Sequence, residues 1–347
     1  MRAALIAVVA TLVAVPSAAA AVHLRGTAYE FNAKPVIAGA TIRVAEVPSS
    51  RATTRANGSY DLVVPAHRRV TPYIVARGYH TIYLQTFTTD QNLNNVNFQT
   101  PTEDVYRALA TVLDVPLDAE GNVAQCAIVS TFSTHEVRDL DYQAFRAFGA
   151  HGVPGATAFG VPPLPPATYF NAQVIPDPAQ PESSADGGVV WVGVPAGVYR
   201  IGGRGPNTRF ASFTATCTPG RVVNANPPWG LYQLSPASPA TISARWDGPT
   251  LTSVRVAKLP PQSSLRATCT GSGCPFRQKE MRVRGSAVTW LRNTRFGPGQ
   301  TLEVTAFSHA YNATVRRYRI RSGATPRARA LCVPDGLTKP QARCRTG

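Results

Sequence analysis

The sequence predicts an all-β chain made of three small sandwich modules with one or two short connecting helices. Thirty prolines and 27 glycines punctuate the 347 residues at short intervals. Runs of alternating apolar and polar residues lie between them, the pattern of many short strands joined by turns. Helical periodicity is sparse.

The chain opens with Met1-Arg2, an apolar run from Ala3 to Val15, and the small residues Pro16 to Ala21. One positive charge, a short apolar core and a small-residue region in that order predict a signal peptide over residues 1–21, cleaved near Ala20 or Ala21. The core is shorter than the roughly 20 apolar residues of a membrane span, and no second long apolar run follows. The mature chain is expected to be secreted or associated with the cell envelope.

Strand signals follow. Ala40-Thr41-Ile42-Arg43-Val44-Ala45-Glu46 alternates, as does Val70-Thr71-Pro72-Tyr73-Ile74-Val75-Ala76. Two segments read as helices. Asp104 to Leu113 sets Val105, Leu109, Val112 and Leu113 on one face after Pro101-Thr102, and Asp141 to Phe148 sets Phe145 and Phe148 on one side. Both are expected to act as connectors or caps.

Six cysteines are present: Cys126, Cys217, Cys269, Cys274, Cys332 and Cys344. In an exported chain an even count points to disulfides. Nearest-neighbour pairing (Cys126–Cys217, Cys269–Cys274, Cys332–Cys344) keeps each bridge inside one module. A zinc site would show C-x-x-C knuckles, which these spacings lack; no metal is expected. Arginine outnumbers lysine 31 to 4, as codon usage in a GC-rich, bacterial genome would produce.

An internal repeat joins the first two modules. Val36-Ile37-Ala38-Gly39-Ala40-Thr41 recurs as Val153-Pro154-Gly155-Ala156-Thr157, and Asn57-Gly58-Ser59-Tyr60 as Asp186-Gly187-Gly188-Val189. Val64-Pro65-Ala66 and Val194-Pro195-Ala196 follow in the same order. On Gly26, Gly39-Ala40-Thr41-Ile42, Thr54-Arg55-Ala56-Asn57-Gly58-Ser59-Tyr60 and Gly78-Tyr79, residues 22–100 resemble the carboxypeptidase regulatory-like domain, a transthyretin-like seven-stranded sandwich. That family's turn aspartate is Arg55 here. After a helical connector at 101–119, residues 120–235 are similar to the same family in more divergent form. Residues 241–347 resemble small Ig-like modules of exported bacterial proteins. The residues carrying this are Cys269-Thr270-Gly271-Ser272-Gly273-Cys274-Pro275-Phe276, Leu302-Glu303-Val304-Thr305 and Arg317-Tyr318-Arg319-Ile320-Arg321. These resemblances imply non-catalytic appendages or binding modules.

Of the net charge of +16, +15 lies in the last module. Residues 241–347 hold 19 Arg and Lys against four acids, while residues 1–240 are balanced to within one charge. As a strand, Arg317, Arg319 and Arg321 would share one face with Tyr318 and Ile320 turned to the core. Met281-Arg282-Val283-Arg284 repeats the arrangement, and Arg327 and Arg329 follow in the tail. Such a ladder predicts a face for an anionic envelope polymer or polysaccharide. No nucleic-acid reading motif accompanies it.

No catalytic constellation is legible. His135-Glu136-Val137-Arg138-Asp139 lacks the second histidine of H-E-x-x-H, and no G-x-S-x-G or phosphate loop occurs. His135, His151, Asp139 and Asp141 are close in sequence and would need to converge to act. No cofactor is expected. Trp229, in the Asn226-Pro227-Pro228-Trp229 loop, is the candidate for stacking on a glycan. The function expected is retention at a surface through the basic module. The alternatives are a structural spacer, or an accessory chain of a secreted hydrolase with carbohydrate-binding modules.

Overall fold

The computed structural model describes residues 21–32 and 35–347. The expected signal peptide, Ala21 excepted, lies outside the described residues. The chain is all-β, and its two α-helices among the described residues are Glu103–Val112 and Tyr142–Phe148. Thr102 caps the first by accepting from the Val105 amide, and Asp141 caps the second by accepting from Ala144.

The first sandwich is built on Ala21–Glu30, which pairs antiparallel with Ser59–Pro65 and parallel with Phe98–Thr100. Val22 opposes Val64 and Leu24 opposes Leu62, so the alternation delivers one face to the core. The facing sheet runs Arg51–Thr53, Thr41–Val44, Pro72–Ala76, Tyr79–Tyr83. Leu24, Ile42, Leu62, Ile74, Ile82 and Phe98 fill the space between. Gly26 has no room for a side chain, because a Cβ there would lie 1.9 Å from the Val96 carbonyl oxygen.

The second sandwich repeats the turn hydrogen bonds of the first. The Thr54 hydroxyl accepts from the Ala40 amide and donates to the Ile37 carbonyl. The Ser183 hydroxyl accepts from Ala156 and donates to Val153 in the same way. Gly39 donates to the Thr54 carbonyl and Gly155 to that of Ser183. Asn57 accepts from the Ser59 amide and Asp186 from that of Gly188, each closing a turn. The following glycines, Gly58 and Gly187, have φ of +74° and +80°, a conformation that L side chains resist.

The two sandwiches are joined by strand pairing. Val222–Ala225 lies parallel to Tyr79–Tyr83, with Val222 opposite Ile82 and Val223 opposite Tyr83. One sheet therefore runs from Pro176–Asp177 through Thr168–Phe170, Gly188–Val194, Cys126–Ser133 and Val222–Ala225 into the sheet of the first sandwich. The pairing covers what would otherwise be the open edge of Tyr79–Tyr83. Thr157–Val161, Gly197–Gly205 and Phe213–Cys217 form the opposing layer. Cys126–Cys217 bridges the two layers, in the same core as the buried Trp191.

The third sandwich sets Thr241–Asp247, Thr250–Ala257 and Ala287–Trp290 against a five-stranded sheet. That sheet runs Gln278–Arg282, Ser264–Thr270, Thr301–Phe307, Ala313–Arg321, Ala324–Val333. Leu251, Val254, Val256, Leu265, Leu302, Val304, Tyr318 and Ile320 make its core. Cys269–Cys274 and Cys332–Cys344 are both closed within it. All three bridges thus join the neighbours expected from the sequence.

The chain after Val333 folds back toward the second sandwich. Ser235 donates to Asp335 at 2.8 Å, and the Asn312 side chain donates to the carbonyls of Ser235 and Arg345. Thr338 bonds Gln91 of the first sandwich. His309 Nδ1 meets Asp139 Oδ1 at 2.8 Å across the cleft between the modules.

Candidate anion-binding face

The arginines come together through register. In the pairing of Ala313–Arg321 with Ala324–Val333, Arg317 stands opposite Arg329 and Arg319 opposite Arg327. Directly opposed residues share a face of the sheet, so these four guanidinium groups form a block two strands wide. Cross-strand neighbours lie about 5 Å apart and successive same-face residues about 6.6 Å apart. Tyr318 and Ile320, between them, are buried. The tail arginines of the sequence are therefore a second rung of the same ladder.

Carboxylates neutralise part of this sheet. Arg317 donates from Nε and Nη2 to Glu303 Oε2 at 2.8 and 2.7 Å. Glu303 is its cross-strand neighbour on Thr301–Phe307. Arg266 is paired likewise with Glu280 at 2.7 Å. Among the described residues, Arg319, Arg327 and Arg329 have no ion-pair partner and all three are exposed. Like charges directly opposed in a sheet destabilise it, and an anion laid across them would relieve that repulsion.

The remaining sequence candidates lie elsewhere. Arg321 is exposed at the hairpin end, beyond a register shift that separates it from Arg319. Arg282 is on the same face as the block, opposite Ser264, but its strand is the far edge of the sheet. Arg284 follows the end of that strand and is exposed. The structure thus brings together Arg317, Arg319, Arg327 and Arg329, and leaves Arg282 and Arg284 apart from them.

Trp229 is half-buried at the junction of the modules. Its Nε1 donates to the Asn94 carbonyl at 3.3 Å. Phe87 meets it in a T-shaped contact, and the Arg138 guanidinium lies 4.0 Å from the ring centroid. Arg138 occupies one face of the ring. Sequence reasoning missed Arg138 itself. It is fully buried, sits 4.6 Å from the Tyr232 ring as well, and none of its side-chain nitrogens has a hydrogen-bond acceptor among the described residues.

The histidines do not converge with the carboxylates considered from sequence. His135 Nδ1 meets Gln233 at 3.1 Å, and His151 Nδ1 meets the Gly149 carbonyl at 2.8 Å. Asp141 is spent as a helix cap, and Asp139 pairs with His309 instead. That last pair lies in a polar cleft of ≈ 340 Å³ shared with Asn94, Asp335 and Ser308. Burial and the neighbouring Asp139 push the Asp335 carboxyl up to about 6, against the opposing pull of Ser235, Arg138 and His309. No group of three or more metal-ligating side chains occurs among the described residues. No helix among them is long and apolar enough to cross a membrane.

No family model matches the chain, and no curated protein matches it. Solved structures similar to it include a streptococcal ancillary pilin, at 9% identity over 90% of this chain and 95% of that one, with a TM-score of 0.19. A shaft pilin from Lactobacillus rhamnosus GG aligns at 8% identity over 62% and 97%, with a TM-score of 0.18. A tetra-tandem repeat from the extending region of a large adhesion protein aligns at 13% identity over 90% and 74%, with a TM-score of 0.19. The fold assignment rests on the strand order above.

Proposed function

We propose that this chain is a non-catalytic, exported β protein of the cell envelope or exterior, retained there by an anionic polymer or polysaccharide bound to its third module. The observation that carries the reading is the block in which Arg319 opposes Arg327 beside Arg329, none of the three with a carboxylate partner among the described residues. A codon-driven excess of arginine would scatter over the surface, whereas these residues occupy one face of one sheet. A polyanion crossing them would exchange its counterions for guanidinium groups, which makes binding steeply salt-dependent.

Three disulfides support an oxidising compartment. The duplicated Thr54 and Ser183 turns support reading both leading modules as relatives of the carboxypeptidase regulatory-like sandwich. In this reading they are structural modules that carry the basic one.

Retention of the full chain on bacterial envelope material tests the proposal. It is expected to be held at low salt and released as salt rises. Failure to bind at low salt, or binding indifferent to salt, would remove the electrostatic anchor and leave a structural spacer.

A further inference from the structure

The Ala324–Val333 strand ends the five-stranded sheet, and among the described residues only its Ala313–Arg321 side is paired along its length. Among the described residues its other side meets one short bridge. The Cys332 amide donates to the Gln341 carbonyl at 3.0 Å, and the Gln341 amide donates back at 2.7 Å. Cys332 therefore turns its backbone groups outward, and in a strand the residues two and four before it do the same. Those are Ala330 and Ala328. Pro326 comes next in the series and has no N–H, so it closes the run. The N–H and C=O groups of Ala328 and Ala330 make an open edge beginning where the folded-back tail stops.

This stretch is uncovered on both faces. Arg327, Ala328, Arg329 and Ala330 are all exposed. An exposed edge of this kind is a template for another strand. We infer that it is a strand-addition site for an extended acidic segment of a partner protein, one that alternates acidic with bulky apolar residues. The pattern follows from geometry. Residues opposite Arg327 and Arg329 share their face, two positions apart, and charge complementarity requires Asp or Glu there. Residues opposite Ala328 and Ala330 point the other way, where two methyl groups leave space for larger side chains. A second copy of this edge would set arginine against arginine, so the same charges exclude self-pairing.

This goes beyond the polymer reading, because a polymer reads the guanidinium groups from above the sheet while a strand reads the backbone at its edge. The two are separable. The probe is a short, end-capped peptide alternating valine and glutamate, titrated into the full chain at low salt, with a block isomer of the same composition as control. The alternating peptide is expected to bind at least tenfold more tightly. N-methylation of one alternate set of its residues is expected to abolish binding, and of the other set to change it less than twofold. Ala328→Pro/Ala330→Pro, which leaves every arginine in place, is expected to lose the peptide while still binding dextran sulfate as before. Equal binding by both N-methylated peptides, or by the block isomer, would show attraction by charge alone and overturn the inference. The N-methylated peptides test it on the unaltered chain, whatever the proline variant does to folding.

Discussion

Arg319 stands directly opposite Arg327 on the paired strands Ala313–Arg321 and Ala324–Val333, and neither has a carboxylate within ion-pair distance among the described residues. Next to them, Arg317 opposes Arg329 and is held by Glu303. One acid thus sits beside four guanidinium groups. An anion from outside the chain is what the proposed function supplies to this face.

Removing that acid should strengthen the face. Glu303→Gln is expected to lower stability by about 1 kcal/mol or less, the usual worth of a partly exposed pair. It is also expected to raise affinity for dextran sulfate by freeing Arg317. Chemical unfolding and a binding titration on the same variant check both signs.

Arg138 should behave as packing. Its guanidinium lies between the rings of Trp229 and Tyr232 without a hydrogen-bond acceptor among the described residues. A buried charge of this kind carries a desolvation cost that an apolar side chain of similar length avoids. Arg138→Met is expected to keep stability to within about 1 kcal/mol. Arg138→Ala opens a cavity between two aromatic rings and is expected to lose about 3 kcal/mol. Equal losses in the two variants would show that the charge itself matters.

Asp335 gives stability a pH dependence of unusual sign. Its carboxyl titrates near 6 in the folded chain, raised first by burial and then by Asp139, against about 3.9 in an unfolded chain. Between those values the folded state binds more protons, so the contribution of this group is complete below about pH 4 and is lost as pH rises through 6. The gap of about two units is worth about 3 kcal/mol. Asp335→Asn keeps an acceptor for the Ser235 hydroxyl and removes the titration. It is expected to be more stable than the parent at pH 7, by up to about 3 kcal/mol, and indistinguishable at pH 4. Urea unfolding at the two pH values reads this directly.

The bridges should differ in worth. Cys126 and Cys217 are 91 residues apart, and Cys269 and Cys274 are five apart. Loop-closure entropy predicts a loss of about 4–5 kcal/mol for Cys126→Ala/Cys217→Ala and about 2 kcal/mol for Cys269→Ala/Cys274→Ala. Thermal unfolding of the two double variants gives the order.

Local signals were legible because they depend on local chemistry. The alternation of Arg317 to Arg321, the Asn57-Gly58 turn and the Thr102 and Asp141 helix starts all appear where the sequence places them. The repeat was visible in its glycines, whereas the matching roles of Thr54 and Ser183 emerge only from their hydrogen bonds. Pairings between distant strands were not legible. Nothing local marks Val222–Ala225 as the parallel neighbour of Tyr79–Tyr83, or brings Arg327 and Arg329 out of the tail to oppose Arg319 and Arg317. Glu303 reads as one acid in an alternating strand until register sets it beside Arg317. Arg138 carries no local sign of burial, because the rings that enclose it lie about 90 residues further on.

The most direct test of the anion-binding face is the salt dependence of dextran sulfate binding by the full chain, from about 50 to 200 mM salt. The logarithm of the binding constant is expected to fall linearly with the logarithm of salt. Arg319→Ser/Arg327→Ser/Arg329→Ser is expected to flatten that slope by about two, at roughly 0.7 for each guanidinium group removed. Arg245→Ser/Arg255→Ser, on exposed positions of the opposite sheet, should leave the slope nearly unchanged. An unaltered slope in the triple variant, or an equal flattening in both variants, would contradict the assignment of the face.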